Sequence, residues 1–190
     1  KLHTVVASLL TYFVLVAGGP AHANTIGGGS RHTVVVTPDG AVWTWGANSN
    51  GQLGDGTTNE RWTPDVVPLI TDAVAVAVGS LHTLVLRSDG TVLAWGYNLY
   101  GQLGDGSTTQ RTSPVTVSSL SGVVAIAAGE FHSMALTSSG QVYTWGRNNV
   151  GQIGDSTTTN WSVPVLLTTL NGITAIGAGK NHTLAVKSDG

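Results

Sequence analysis

One phrase of the sequence recurs along the chain at a spacing of 50 residues, with no insertion or deletion between copies. Each complete copy runs from a histidine through Trp-Gly-x-Asn to Gly-Gln-x-Gly-Asp. Self-similarity at this period means that one supersecondary unit is repeated and stacked, which argues against a single irregular catalytic fold. The recurring residues, which we expect to serve the fold, are His32, His82, His132, His182, Trp45, Trp95, Trp145, Asp55, Asp105 and Asp155.

The second copy illustrates the secondary structure of one unit. Residues 82–86 and 91–95 are rich in β-branched and large apolar side chains, and the Asp-Gly pair at 89–90 supplies the positive φ of a tight turn, so they predict a β-hairpin. Residues 114–117 and 123–127 predict two further strands, and the proline that opens the first of these suits a strand's first residue because it has no N–H. Four strands per copy are typical of one blade of a β-propeller, whereas a parallel β-helix or leucine-rich repeat needs shorter units.

Four segments of this copy carry a specific motif: Gly79-x-x-His82-Thr-Leu, Asp89-Gly90, Trp95-Gly96-x-Asn98-x-x-Gly101-Gln102-Leu103-Gly104-Asp105 and Pro114-Val115. They closely resemble the repeat of the regulator of chromosome condensation family. The resemblance covers essentially everything after residue 28 and implies an all-β, seven-bladed propeller, a ring of about 350 residues at this period. We therefore expect a truncated, partial propeller of about three and a half blades in residues 24–190, with repeats at 29–78, 79–128 and 129–178 and the start of a fourth at 179–190.

Composition limits the possible functions. The chain of 190 residues has 26 glycines, no cysteine, 9% charged residues and a formal net charge of -2. Without cysteine, neither a disulfide framework, a thiolate metal site nor a cysteine nucleophile can form. Lysine and arginine residues are scattered singly, so no basic surface for a phosphate backbone is expected and we predict no nucleic-acid partner.

The first 23 residues do not belong to the repeat and have the layout of a signal peptide. A charged start precedes an apolar stretch at 5–17, and the small-x-small sequence Ala21-His22-Ala23 stands before Asn24. We expect cleavage after Ala23 and an extracytoplasmic location, secreted, periplasmic or at the cell surface. The apolar stretch is shorter than the roughly 20 residues of a membrane span. The remaining alternative is a buried N-terminal helix or strand.

None of the repeated polar residues forms a recognisable catalytic or metal-binding motif. Four equivalent histidines in separate blades cannot converge on one ion, so we expect partly buried imidazoles hydrogen-bonded to a neighbouring loop or strand. The aspartates lack the ligand series of a calcium loop and are expected to cap local turns, and the tryptophans to pack blade against blade. The glycine-rich segment lacks the Lys-Ser/Thr of a phosphate-binding loop. We predict no catalytic residue, no cofactor, no metal and no enzymatic activity.

Residues that differ between the copies are better candidates for binding, because repeat proteins vary their loops while they keep their packing residues. Aromatic and arginine side chains dominate several of these variable positions. Such side chains carry protein interfaces because they combine a large contact area with a directional polar group. The candidate contact residues are Trp62, Tyr97, Tyr100, Phe131, Arg147 and Trp161; the alternative is that they are ordinary solvated loop residues.

These observations predict a secreted, non-enzymatic module that presents variable propeller loops to a protein or cell-surface partner. Similarity to the propeller-type β-lactamase inhibitory protein, an exported bacterial member of this repeat class, suggests a narrower alternative, the inhibition of an extracellular hydrolase. The family's founding activity, guanine-nucleotide exchange on a small GTPase, is a second alternative, although no segment resembles the β-wedge that performs it. A third alternative is a propeller attached to an extracytoplasmic enzyme.

Overall fold

The structure is a computed structural model that describes residues 25–190, and the predicted leader with its cleavage site before Asn24 lies outside them. In this part of the chain, fourteen β-strands and no helix form three four-stranded sheets and one two-stranded sheet, all antiparallel. The all-β, partial propeller of about three and a half blades is therefore confirmed. Between residues 25 and 190, no helix of the length and apolar character needed to cross a membrane is found.

The strands follow one another across each sheet as they do along the chain. The first sheet contains β1 (Ile26–Gly28), β2 (His32–Val36), β3 (Val42–Gly46) and β4 (Arg61–Val66). The second contains β5 (Ala73–Val78), β6 (His82–Arg87), β7 (Val92–Gly96) and β8 (Arg111–Thr116). The third contains β9 (Val123–Ala128), β10 (His132–Thr137), β11 (Val142–Gly146) and β12 (Trp161–Leu166), and the fourth contains β13 (Ile173–Ala178) and β14 (Thr183–Lys187).

The predicted hairpin of the second copy is formed by β6 and β7. Its register pairs His82 with Gly96 at one end and Leu86 with Val92 at the other. Gly90 closes the turn with φ at 79°, a left-handed conformation that glycine adopts without steric cost.

The third strand of each copy begins earlier than the sequence predicted. β8 starts at Arg111, so Pro114 lies within the strand and not at its first residue. β8 is the outermost strand of its sheet and pairs only with β7. A proline is tolerated inside such an edge strand because its missing N–H is not needed on the unpaired side. Pro64 in β4 and Pro164 in β12 occupy the same place.

The boundaries of the copies and the boundaries of the sheets differ by one strand. Residues 123–127 belong to β9, which is the first strand of the third sheet and not the fourth strand of the second. The place beside β6 is already occupied by β5, which comes from the preceding copy. Each copy therefore gives three strands to one sheet and one strand to the next, and the repeat links the two sheets covalently.

Apolar side chains fill the space between neighbouring sheets. β5 contacts β1, β9 contacts β5 and β13 contacts β9, so the first strands of successive sheets lie side by side. One cluster joins the first two sheets around Trp95, a second joins the second and third around Trp145, and a third lies between the third and fourth around Met134. The sheets are thus held together mainly by packing between neighbours, as in other repeat proteins.

The second and fourth sheets show how much this packing depends on neighbours. Leu84 in β6, with a sheet on either side, is 0% exposed, whereas the equivalent Leu184 in β14 is 60% exposed. The fourth sheet has only one neighbouring sheet in the described part of the chain. Leu184 therefore stays in solvent although its local sequence repeats that of Leu84.

Candidate functional site: an aromatic cluster at the loop end

Two kinds of connection leave the sheets at opposite ends. The hairpin turns and the connections that lead to the next sheet lie at one end. The other end, which we call the loop end, carries the short turns 29–31, 79–81, 129–131 and 179–181 and the long loops 47–60, 97–110 and 147–160. Most of the variable positions singled out from the sequence lie at the loop end or start the strand that follows a long loop.

The repeated polar residues meet in a buried network at the junction of the first and second sheets. Trp95 Nε1 donates to the carbonyl of Gln52 over 2.9 Å, and Thr83 Oγ1 donates to the same carbonyl over 3.1 Å. His32 Nε2 lies 3.2 Å from Thr83 Oγ1. Since the Thr83 proton is directed to Gln52, the hydroxyl oxygen accepts the Nε2 proton, and the His32 ring is neutral with its proton on Nε2.

The same network recurs at the junction of the second and third sheets. Trp145 Nε1 donates to Gln102 O over 2.9 Å, Ser133 Oγ donates to it over 2.8 Å, and His82 Nε2 lies 3.1 Å from Ser133 Oγ. Gly79 is required beside this histidine, because a Cβ there would lie 2.1 Å from the Cε1 atom of His82. The histidine, the glutamine carbonyl and the tryptophan thus connect successive sheets.

The buried histidines are held in their uncharged form. Burial lowers the pKa of His32 to about 4 and of His132 to about 4. The pKa of His82 falls to about 3, through burial and through the neighbouring His132 and His32.

In residues 25–190 no group of three or more histidine, cysteine, aspartate or glutamate side chains could hold a metal ion. His182, on the fourth sheet, is exposed.

The repeated aspartates organise the long loops. Asp105 Oδ1 accepts hydrogen bonds from Asn98 Nδ2 over 3.2 Å and from the Ser107 amide over 3.0 Å, and Asp105 Oδ2 accepts one from Arg111 Nε over 2.8 Å. Burial acts to raise the pKa of the Asp105 carboxyl, but the hydrogen bonds from Ser107 and Arg111 outweigh it and hold the pKa below its usual value. This carboxylate is engaged inside its own loop.

Four of the six candidate contact residues come together at the loop end. Tyr97 and Tyr100 follow β7 of the second sheet, while Phe131 precedes β10 and Arg147 follows β11 of the third. The ring centroids lie 6.1 Å apart for Tyr97 and Tyr100, 5.6 Å for Tyr97 and Phe131, and 5.4 Å for Tyr100 and Phe131. The Arg147 guanidinium carbon lies 5.1 Å from the Tyr100 centroid and 5.8 Å from that of Phe131. We call these four residues the aromatic cluster.

Backbone hydrogen bonds place the cluster in this position. The Arg147 amide donates to Phe131 O and the Tyr97 amide donates to Leu81 O, each over 2.9 Å, so each hairpin extends one residue beyond its strands. All four cluster side chains are half-buried. Burial raises the pKa of Tyr97 above its usual value, with a further contribution from Tyr100, so its phenol is uncharged at neutral pH. The cluster is a fixed surface that spans two sheets.

The guanidinium of Arg147 differs from those of the loop and strand arginines. Arg61, Arg87 and Arg111 each pair with an aspartate at 2.7 to 2.8 Å. Among residues 25–190, no carboxylate lies within ion-pair distance of Arg147. Its contacts with Tyr100 and Phe131 hold the side chain over the rings, and its N–H donors have no side-chain partner in the described residues.

The other two candidate residues lie outside the cluster. Trp161 stands where the preceding copies have arginine, and its Nε1 donates to Asp155 Oδ2 over 2.7 Å. Trp62 is 86% exposed on the edge strand β4. In the next copies, Thr112 and Ser162 at this position pack on the loop of the preceding sheet. The exposure of Trp62 thus reflects the absence of a preceding sheet in the described residues.

Two contacts at the loop end could not be predicted from the sequence. The backbone carbonyls of Gln52 and Gln102 accept the tryptophan and hydroxyl protons, and only the repeated glutamine in the Gly-Gln phrase hinted at a role there. Beside the cluster, Lys180 Nζ lies 3.5 Å from Glu130 Oε1. These two residues occupy equivalent positions in successive turns, so their opposite charges were visible in the sequence, but their distance was not.

A family model for the RCC1-like domain matches residues 10–190. The chain belongs to the RCC1-like domain family. The match begins inside the segment assigned to the signal peptide, so that assignment stays a prediction. The fold is similar to that of yeast RCC1 (Prp20), seen in a crystal structure of Kap60 bound to it, with a TM-score of 0.77 at 24% identity over 87% of this chain and 41% of that one.

Curated relatives share shorter stretches with this RCC1-like chain. The E3 ubiquitin-protein ligase HERC2 of Homo sapiens is 59% identical over 39 residues, which is 20% of this chain and 1% of the ligase. Ras guanine nucleotide exchange factor C of Dictyostelium discoideum is 65% identical over 26 residues, 14% of this chain and 2% of that protein. The chain thus spans less than half of the yeast structure and a small part of the curated relatives.

Proposed function

We propose that this chain is a non-enzymatic protein-binding module and that the aromatic cluster at the loop end is its contact surface for a protein or cell-surface partner. The observation that carries the proposal is the meeting of Tyr97, Tyr100, Phe131 and Arg147 across two sheets. Aromatic and arginine side chains in one patch are the composition of an interface hot spot. None of the four belongs to the buried network that links the sheets.

The family relationship supports a binding role more than any one activity. The relatives named above are a ubiquitin ligase and a nucleotide exchange factor, and they share with this chain only stretches of 39 and 26 residues. What such different proteins have in common is the repeat scaffold. Function on a shared fold depends on the surface residues that differ, and in this chain four of the six candidate residues form the cluster.

A site-specific crosslinking experiment tests the contact surface. A photoreactive phenylalanine analogue replaces Tyr97 in one sample and Trp62 in another, and both are illuminated with an extract of the source cells. We expect one defined protein to be crosslinked through position 97 and not through position 62, because only position 97 lies in the cluster.

Binding of the purified partner then gives the energetic test. Tyr100→Ala combined with Phe131→Ala should weaken binding by more than about 1 kcal/mol for each true hot-spot residue. The matched control, Asn50→Ala combined with Leu81→Ala, changes the same two positions one sheet earlier and should leave the affinity nearly unchanged. Equal losses for the two pairs would contradict the proposal, as would crosslinking through position 62 alone.

We further propose an extracytoplasmic location, which is supported only by the sequence of residues 1–23. Expression of the complete reading frame followed by N-terminal sequencing of the exported product should find Asn24 as the first residue. A product that retains residues 1–23 and stays in the cytoplasm would refute this part. If the crosslinked partner is a hydrolase or a small GTPase, the corresponding alternative function becomes testable by inhibition or nucleotide-exchange assays.

A further inference from the structure

The positions around the aromatic cluster carry more cations than carboxylates. The chain has a formal net charge of -2. The short turns at 29–31, 79–81, 129–131 and 179–181, together with the first residue after each Trp-Gly pair, carry three cations and one carboxylate. The cations are Arg31, Arg147 and Lys180, and the carboxylate is Glu130, which is already paired with Lys180. These positions are therefore net positive. The long loops at the same end add four carboxylates, but the three aspartates among them accept hydrogen bonds from Arg61, Arg111 and Trp161.

The rings of the cluster leave no space for a cationic ligand between them. Tyr97, Tyr100 and Phe131 are in mutual contact, with every pair of centroids between 5.4 and 6.1 Å apart. At Tyr100 and Phe131, the position that a cation would take over the ring is already occupied by the Arg147 guanidinium. A quaternary ammonium or a partner's lysine would have to displace Arg147, whereas an anion would bind to it.

We propose that the aromatic cluster recognises a peptide segment in which an aspartate or glutamate stands next to an apolar side chain. The carboxylate would accept two hydrogen bonds from the Arg147 guanidinium, which is unpaired in residues 25–190 and is held over two rings. The neighbouring apolar side chain would pack on the exposed parts of Tyr97 and Phe131. This inference rests on the proposed function and names the chemistry of the partner.

The stacked arrangement makes the arginine suitable for this role. A guanidinium that lies on aromatic rings keeps its planar fork of N–H donors in one orientation, so less side-chain entropy is lost when a carboxylate binds. Arg31 offers a comparison at the same end of the sheets. In the described residues it is also without a carboxylate partner, but it is exposed and makes no cation–π contact.

Selection of short random peptides displayed on phage tests the inference. The complete chain is immobilised, and the Kd of each enriched peptide is measured for the chain and for Phe131→Ala, Arg147→Gln, Arg147→Lys and Arg31→Gln. We expect enriched peptides to share an acidic residue next to an apolar one. Replacing that acidic residue with its amide, or Arg147 with Gln, should weaken binding at least about tenfold, and the two changes together should cost little more than either alone.

The control variants separate the possible outcomes. Arg147→Lys should restore only part of the affinity because an ammonium cannot pair in the bidentate manner, and Arg31→Gln should change it less than about threefold. Peptides that lose binding in Phe131→Ala but are indifferent to Arg147→Gln, or that are basic, would overturn this inference and leave the proposed function intact. If no enriched peptide depends on Phe131, or none is enriched, the proposed function fails as well.

Discussion

Two junctions between neighbouring sheets can be compared position by position, because the chain repeats without insertion. In the buried network, the first and the second junction are nearly identical: the tryptophan donates to the glutamine carbonyl over 2.9 Å in both, and the histidine meets its hydroxyl partner at 3.2 and 3.1 Å. At the loop end they differ. Ala47, Asn50, Leu81 and Tyr97 stand at the first junction where Tyr97, Tyr100, Phe131 and Arg147 stand at the second.

The comparison shows that the residues that link the sheets and the variable residues at the loop end are under different constraints. Residues that link sheets are buried and hydrogen-bonded, so a change at any of them leaves a cavity or an unpaired polar group. The variable residues at the loop end, such as those of the aromatic cluster, take no part in this network and can vary without cost to it. The aromatic cluster is therefore a property of one junction, whereas stability is shared among all of them. Three predictions test this division.

The largest effect should come from pH, which acts on every junction. The folded-state pKa values of His32, His82 and His132 lie at about 4, 3 and 4, below the ordinary value of 6.5. Below pH 6.5 the unfolded chain therefore binds protons that the folded chain excludes, and stability falls as the pH decreases toward 4. The slope should approach about 1.4 kcal/mol per pH unit for each histidine.

Urea denaturation at constant ionic strength, from about pH 7 to about pH 4.5, measures this slope. His82→Gln should lower it by about a third, since one of three buried imidazoles is removed. The lowered pKa values of the loop aspartates act mainly below their ordinary value of 3.8, so they contribute little over most of this window. A stability that stays constant between pH 6.5 and pH 4.5 would show that the histidines are not held neutral.

The second prediction concerns the tryptophans. Trp95 and Trp145 are both 0% exposed, while Trp45, at the same position of the first sheet, is half-buried. Trp95→Ala and Trp145→Ala should each lower the free energy of unfolding by about 3 to 5 kcal/mol, and by the same amount within about 1 kcal/mol. Trp45→Ala should cost clearly less. Thermal and urea unfolding of the three variants check this, and unequal losses at 95 and 145 would break the equivalence of the two junctions.

The smallest effect is expected where one copy has changed its hydrogen-bond donor. Trp161 donates to Asp155 in place of the arginine that pairs with Asp55 and Asp105 in the earlier copies. Trp161→Arg should restore the ion pair and change the unfolding free energy by less than about 1 kcal/mol. Trp161→Phe keeps an aromatic ring but removes the donor, and should cost about 0.5 to 1.5 kcal/mol. A larger loss with Arg than with Phe would mean that the ring's packing matters more than its N–H.

Several features were predictable because they depend on local sequence or on the period. The hairpin turn at Asp89-Gly90 and the strands on either side of it were predicted correctly, since a tight turn needs a residue with positive φ and strands need β-branched and apolar side chains. The strand at residues 123–127 was also predicted, but its place in the third sheet was not. A strand's partners are chosen by the free edge that it meets, and no local pattern tells which copy supplies that edge.

The repeat, the all-β class, most strand positions and the set of variable residues can be read from the chain alone, because they depend on the order and spacing of neighbouring side chains. Tertiary structure alone decided which of those residues meet. Tyr100 and Phe131 are 31 positions apart and Trp62 and Trp161 are equally prominent in the sequence, yet only the first two share a surface. The reason is that residues of different copies come together through the packing of one sheet on the next. That packing brings the loop after β7 against the turn before β10, whereas β4 has no preceding sheet in the described residues.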